Sequence, residues 1–130
     1  MHLVETIDLP NGLAVEVWDA SREIAEDTTL VKLAFKMKVK IQEDYFTEPE
    51  QYEQVRKVFG TDQFYEYEKE RTFVNTNDKE KVFAELLRDF KRDSIPYLGY
   101  PDFPSRFARA KYKEIQKHYY RYRHLLEKEE

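Results

Sequence analysis

The side chains that most often bind metals give no recognisable site in this chain. The three histidines are His2, His118 and His124. The last two are six residues apart, whereas two histidines that share a metal on one helix face are four apart. Cysteine is absent, which excludes disulfides, thiolate zinc ligands and a cysteine nucleophile. The sequence therefore predicts no metal site and no cofactor.

Nucleophile and phosphate-binding motifs are missing as well. No serine lies in a Gly-x-Ser-x-Gly setting, and the three glycines, Gly12, Gly60 and Gly99, cannot form a P-loop or a dinucleotide-binding loop. The 26 Asp and Glu residues leave a general acid–base pair open, because such a pair forms in space rather than in sequence. No pattern selects any of them, so we predict no catalytic residue.

An aromatic segment, residues 95–103 (IPYLGYPDF), is the most distinctive local feature. Its prolines and glycine are typical of an irregular loop. The rings could form a rigid binding surface with few rotamers to freeze, or they could only plug a gap between two helices. With two tyrosines further along, this segment supplies the candidate partner contacts: Tyr97, Tyr100, Phe103, Tyr119 and Tyr122.

A basic stripe near the carboxyl end is the second candidate surface. Residues 103–130 carry 8 Lys and Arg residues against 4 Asp and Glu residues, although the whole chain has a net charge of −4. A phosphate backbone could lie along such a stripe, and Tyr120 between the cations could stack on a base. The alternatives are a solvated helix face and a face that docks on the acidic body of the same chain. The candidate anion contacts are Arg109, Lys113, Lys117 and Arg121.

Alternating polarity indicates the strands that must position these surfaces. Residues 2–9 and 13–20 flank Pro10-Asn11-Gly12, which predicts a hairpin with a type I′ turn or, because of Pro10, a longer loop. Residues 29–42 and 63–74 alternate as two longer strands, while residues 21–28 form a connection. One long strand carries a lysine face and the other a glutamate face, so we expect them to be neighbours. The expected pairs join Lys36, Lys38 and Lys40 to Glu66, Glu68 and Glu70.

Apolar residues at helical spacing indicate three helices. The first opens at Thr47 as a capping box and ends at Gly60. The second has Asn77 as its predicted N-cap. The third runs from about residue 104 to 127, with tyrosines on its inner face and the basic stripe outside.

The length and composition of the chain indicate its fold class. A chain of 130 residues fits one domain, and its 15% aromatic content supplies enough apolar area for a core despite 37% charged residues. We predict a single α+β domain, residues 1–130, with a mainly antiparallel sheet of about four strands and three helices on one face. No apolar run approaches 18 residues and no signal peptide is recognisable, so we expect a cytoplasmic protein without a membrane partner.

The opening segment also resembles a known group of sequences. Residues 7–13 (IDLPNGL) and 19–28 (DASREIAEDT) are similar to those of a family of small uncharacterised bacterial proteins. The resemblance covers about the first quarter of the chain. It implies a free-standing bacterial domain, and it brings no known activity and no functional residue.

Three functional hypotheses follow from these features. The first is a non-catalytic binding domain that recognises a protein partner, or a second copy of itself, through aromatic surface. The second is binding of nucleic acid or another anionic ligand through the basic stripe. The third, with the least support, is a small enzyme that uses carboxylates.

Overall fold

A computed structural model describes residues 1–127. These residues form one antiparallel sheet of five strands together with five α-helices, which confirms the predicted α+β class with one strand and two helices more than expected. The strands are β1 (His2–Asp8), β2 (Ala14–Asp19), β3 (Arg22–Ala25), β4 (Thr28–Lys40) and β5 (Asp62–Asn75). The helices are α1 (Pro49–Phe59), α2 (Lys79–Asp93), α3 (Ile95–Leu98), α4 (Phe103–Lys117) and α5 (Tyr119–Leu126).

The turn of the first hairpin differs from the predicted type I′ turn. The Gly12 N–H donates to the Leu9 carbonyl at 3.0 Å, which places Pro10 and Asn11 in the middle of a β-turn. Gly12 has a φ of 88°, but Asn11 is not among the residues with positive φ. Pro10 favours this arrangement because its fixed φ suits the second position of a β-turn. The hairpin therefore has a three-residue loop that ends in a left-handed glycine.

Strands β2 and β3 form one interrupted line along β4. Val15 is opposite Met37 and Arg22 is opposite Leu30, so both strands share a single register. At the interruption the Lys32 N–H donates to the Ser21 hydroxyl at 3.0 Å. The prediction of a mere connection over residues 21–28 is therefore wrong. All four residues of β3 are exposed, so no alternation of polarity marked it as a strand.

The two long strands are neighbours, as predicted, because β5 pairs with β4. Their ion pairs join Lys32 to Glu68 at 3.3 Å and Lys38 to Asp62 at 3.7 Å. From the first ion pair to the second, the lysine lies six residues later in the chain and the acidic residue six residues earlier. This is the pattern of two antiparallel strands. The expected pairing of Lys38 with a glutamate is wrong, because alternation in sequence does not fix the register between two strands.

The helices depart from the predicted boundaries for local reasons. Helix α1 begins after Glu48 instead of Thr47, whose hydroxyl donates to the Gln51 side chain, and it ends at Gly60 as predicted.

The later helices also differ from the prediction. A 3-10 turn precedes α2, and there the Asn75 side chain accepts the Asn77 N–H, so the predicted cap at Asn77 is misplaced. The aromatic loop contains α3. The last helix breaks at His118, which has φ −123° and ψ 44°.

Two compact units make up the chain. Unit 1 comprises Met1–Met37 and Tyr65–Tyr100, and unit 2 comprises Lys38–Phe64 and Pro101–Glu130 as far as the described residues extend. In unit 1 the rings of Phe35 and Phe90 stack at 3.6 Å between centroids, which packs α2 on the sheet. Strands β4 and β5 contribute residues to both units. The single domain over residues 1–130 stays a prediction.

Unit 2 has a core of its own. Its buried members come from the segment between β4 and α1, from α1 and from α4, and half-buried rings pack against them. These buried members are Ile41, Phe46, Val55, Ala108 and Ile115. Helix α4 therefore has one face fixed inside unit 2, and its basic residues lie on the remaining surface.

Candidate functional site

Asn11 links the first hairpin to the aromatic segment within unit 1. Its side-chain amide donates to the Leu98 carbonyl and to the Tyr100 carbonyl, both at 2.8 Å. The side-chain oxygen of the same residue accepts the Leu13 N–H at 3.2 Å. One asparagine therefore satisfies its donors and its acceptor while it fixes the main chain on either side of Gly99.

Gly99 lets the two segments approach closely. A Cβ atom at this position would lie 3.1 Å from the Pro10 Cδ atom and 3.3 Å from the Ile95 carbonyl oxygen. Such contacts are tighter than ordinary van der Waals packing, so a larger residue would push the hairpin turn away. The turn, α3 and Tyr100 consequently form a stiff support.

Tyr97 and Tyr100 project from this support into solvent. Their side chains are 55% and 61% exposed, although the neighbouring Leu98 is fully buried. The loop is thus neither a plain plug nor an irregular segment. Leu98 fills the core while the two tyrosines on either side of it stay at the surface.

Two tyrosines of β5 extend the same aromatic surface. Burial in the first place, and then the phenols of Tyr67 and Tyr97, raise the pKa of Tyr65 above its ordinary value of 10.0. The Tyr67 ring lies 6.3 Å from Phe35 and 6.4 Å from Phe90, at the edge of the buried stack. We call Tyr65, Tyr67, Tyr97 and Tyr100 the tyrosine surface.

Phe103 belongs to the core and not to a contact surface. Its side chain is only 4% exposed, and its ring lies 5.8 Å from Phe107 in unit 2. Placing it among the accessible candidate contacts is therefore wrong. The residue opens α4 with Pro104 in the first turn, a position that proline tolerates, so the aromatic segment ends inside a helix.

Two of the three tyrosines of α5 use their hydroxyls within unit 2. The Tyr122 ring packs edge-on against Phe59 at 5.4 Å, and its hydroxyl donates to Glu114 at 2.9 Å. The Tyr119 hydroxyl bonds Glu127 at 3.2 Å while 41% of the side chain stays exposed. Of these two candidates, Tyr119 alone offers substantial accessible surface.

The four candidate anion contacts fall into two groups. Arg121 is paired with Glu114 at 3.5 Å, and the Arg109 guanidinium donates to the Ser105 carbonyl and hydroxyl at 3.3 Å. Lys113 and Lys117 are exposed, and neither makes an ion pair or a hydrogen bond within the described residues. Of the four candidate anion contacts, the two lysines are thus the most available to a ligand.

A groove of about 680 Å³ on the solvent face of the sheet is bordered by Trp18, Lys36, Glu66 and Glu68. In it the Trp18 indole N–H donates to Glu16 at 3.1 Å. The described residues contain no cluster of three or more His, Cys, Asp or Glu side chains that could hold a metal ion. None of the described helices is long and apolar enough to cross a membrane.

Sequence reasoning missed part of the tyrosine surface. Tyr65 and Tyr67 alternate along β5, which puts both rings on one side of the strand and is a signal that could have identified them. Tyr120 is 88% exposed, the most exposed large apolar side chain described. The sequence already places this ring among the cations of the basic stripe, where it could stack on a base.

Comparison with protein-family models, with curated proteins and with solved structures found no match. The resemblance of the opening segment to small bacterial proteins therefore stays a prediction. The functional argument rests on the geometry of the two units.

Proposed function

We propose that this chain is a non-catalytic binding domain whose tyrosine surface contacts a second copy of the chain. The observation that carries the proposal is the exposure of Tyr97 and Tyr100 on a support fixed by Asn11. Tyrosines on a rigid base supply large contact area and lose little conformational entropy on binding. This is the chemistry that partner-binding surfaces concentrate at their centres.

The chemistry of the tyrosine surface supports self-association. A contact between two identical copies about a two-fold axis places the same patch on both sides, so a charged patch would repel its own copy. Phenols carry no charge below their pKa, and each hydroxyl both donates and accepts a hydrogen bond. The raised pKa of Tyr65 extends this neutral range. A tyrosine patch is therefore complementary to itself.

Sedimentation velocity tests this proposal directly. We expect the wild-type chain to form dimers as its concentration rises, and Tyr100→Glu to weaken the dimer by more than about tenfold because like charges would face each other. Tyr100→Phe retains the ring and should retain most of the association.

A matched control is Tyr120→Glu, which places the same charge on an exposed tyrosine of unit 2. It should dimerise as the wild type does. A wild-type chain that stays monomeric at every concentration would overturn the proposal, as would a Tyr100→Glu variant that is folded and dimerises normally.

A further inference from the structure

The solvent face of α4 carries a row of cations along its length. At 100° per residue, Arg106, Arg109, Lys113 and Lys117 fall within about 80° of one another on the helix. Ala108 and Ile115 lie on the other side, where both are buried in the core of unit 2. The row is therefore held in place by the packing of the opposite face, and its orientation does not depend on a ligand.

Acidic neighbours neutralise only part of this row. Arg106 pairs with Asp102 at 2.9 Å. The one carboxylate between residues 103 and 124, Glu114, is occupied by Tyr122, Arg121 and His118. Lys113 and Lys117 have no such partner within the described residues. Their charge is thus available to an anion.

An exposed aromatic ring lies just beyond the row. Tyr120 follows Lys117 by three residues in unit 2 and is 88% exposed, while Tyr119 and Tyr122 on either side use their hydroxyls within the unit. A free ring next to a row of cations is the combination that binds single-stranded nucleic acid, in which phosphates contact the cations and a base stacks on the ring.

From this combination we infer that unit 2 binds single-stranded nucleic acid without sequence preference, through Arg109, Lys113, Lys117 and Tyr120. This function is separate from the tyrosine surface of unit 1. An anionic membrane fits less well, because the apolar face of α4 is buried in the core and cannot enter lipid. A duplex fits less well because its bases already stack on one another and leave Tyr120 without a partner.

Fluorescence anisotropy of a labelled oligothymidylate at several salt concentrations tests the inference. Three cations that displace counterions from a single strand give a slope of about −2 for log affinity against log salt. At that slope, about a fourfold rise in salt concentration should lower the affinity roughly 20-fold. Lys113→Ala with Lys117→Ala should reduce the slope to about −0.7, since one cation remains.

Tyr120→Ala distinguishes stacking from simple charge attraction. We expect this variant to lose about fivefold or more in affinity at every salt concentration, with the slope unchanged, because the lost contact is not ionic. The matched control is Lys79→Ala with Lys81→Ala, which removes the same charge from exposed positions of α2 in unit 1. That control should bind as the wild type does.

Competing polyanions decide which partner the surface prefers. We expect unit 2 to bind three other polyanions more weakly than the single strand. These are polyglutamate, duplex DNA of the same length and phosphatidylserine vesicles. Equal binding of polyglutamate or of vesicles would overturn the inference, and so would equal losses in the α4 and α2 lysine variants. Thermal melting of each variant confirms that a loss of binding does not come from unfolding.

Discussion

Asn11 shows how one side chain can connect two distant parts of the sequence. The Asn-Gly pair correctly predicts a hairpin, although the loop has three residues and Asn11 does not take the positive φ of a type I′ turn. The amide of the same residue also binds the main chain at Leu98 and Tyr100. No local pattern contains that information, since the partners are backbone carbonyls, which every residue has.

Tyr65 gives the tyrosine surface a measurable dependence on pH. Burial, and then the phenols of Tyr67 and Tyr97, raise its pKa in the folded chain. As the pH rises, the unfolded chain loses this proton first, near pH 10. The stability contributed by the neutral phenol is therefore complete below that pH and is lost as the pH rises through the folded-state pKa.

Replacing Tyr65 with phenylalanine removes this titration. We expect Tyr65→Phe to make the loss of thermal stability above about pH 10 shallower than in the wild type. Tyr120→Phe is the control, because Tyr120 is 88% exposed. Melting temperatures measured across the alkaline range provide the test, and identical alkaline slopes for wild type and Tyr65→Phe would contradict it.

At the scale of elements, a buried face determines what sequence can predict. Strand β4 is evident because Leu33, Phe35 and Met37 are buried in strict alternation. Strand β3 lacks any buried residue, so it has no pattern to detect. The helix break at His118 is hidden for the opposite reason: apolar residues on α4 and α5 keep their helical spacing across it.

The Ser21 hydroxyl helps to hold the junction between β2 and β3, where the Ala20 N–H also donates to the Lys32 carbonyl. Ser21 accepts the Lys32 N–H at the point where the ladder along β4 is interrupted. We expect Ser21→Ala to lower the free energy of unfolding by about 1–3 kcal/mol, because a partly buried N–H loses its acceptor. Urea denaturation measures the change.

Two further variants separate this effect from a general cost of removing serine. Ser21→Thr retains the hydroxyl and should recover most of the stability. Ser94→Ala removes a hydroxyl that makes no hydrogen bond within the described residues, so it should be nearly neutral. If Ser21→Ala and Ser94→Ala had the same effect, the hydroxyl of Ser21 would not support the junction.

For the whole molecule, the open question is whether the two units unfold together. Each unit is assembled from two separate stretches of sequence, and β4 and β5 contribute to both. The single-domain prediction therefore has a direct consequence. A substitution that destabilises the core of unit 2 should lower the free energy of opening, measured by amide hydrogen exchange, equally in unit 1 and in unit 2.

Ile115→Ala is a substitution that destabilises the core of unit 2. Truncating this buried residue should cost about 2–5 kcal/mol of unfolding free energy. Hydrogen exchange should then show an equal loss of protection in β2 of unit 1 and in α1 of unit 2. Lys113→Ala, an exposed change on the same helix, should leave both unaffected. Loss of protection confined to unit 2 would show that the chain has two separately stable domains.

The link made by Asn11 also bears on the order of events during synthesis. Its hydrogen bond to Leu98 closes a loop of 87 residues along the chain. Contacts of such large sequence separation form late, since the entropy of closing the loop must be overcome first. A growing chain exposes the hairpin long before it can place Tyr97 and Tyr100. The proposed contact between copies thus becomes available only after the chain has been made as far as Tyr100 and unit 1 has folded, so shorter chains on a ribosome lack it.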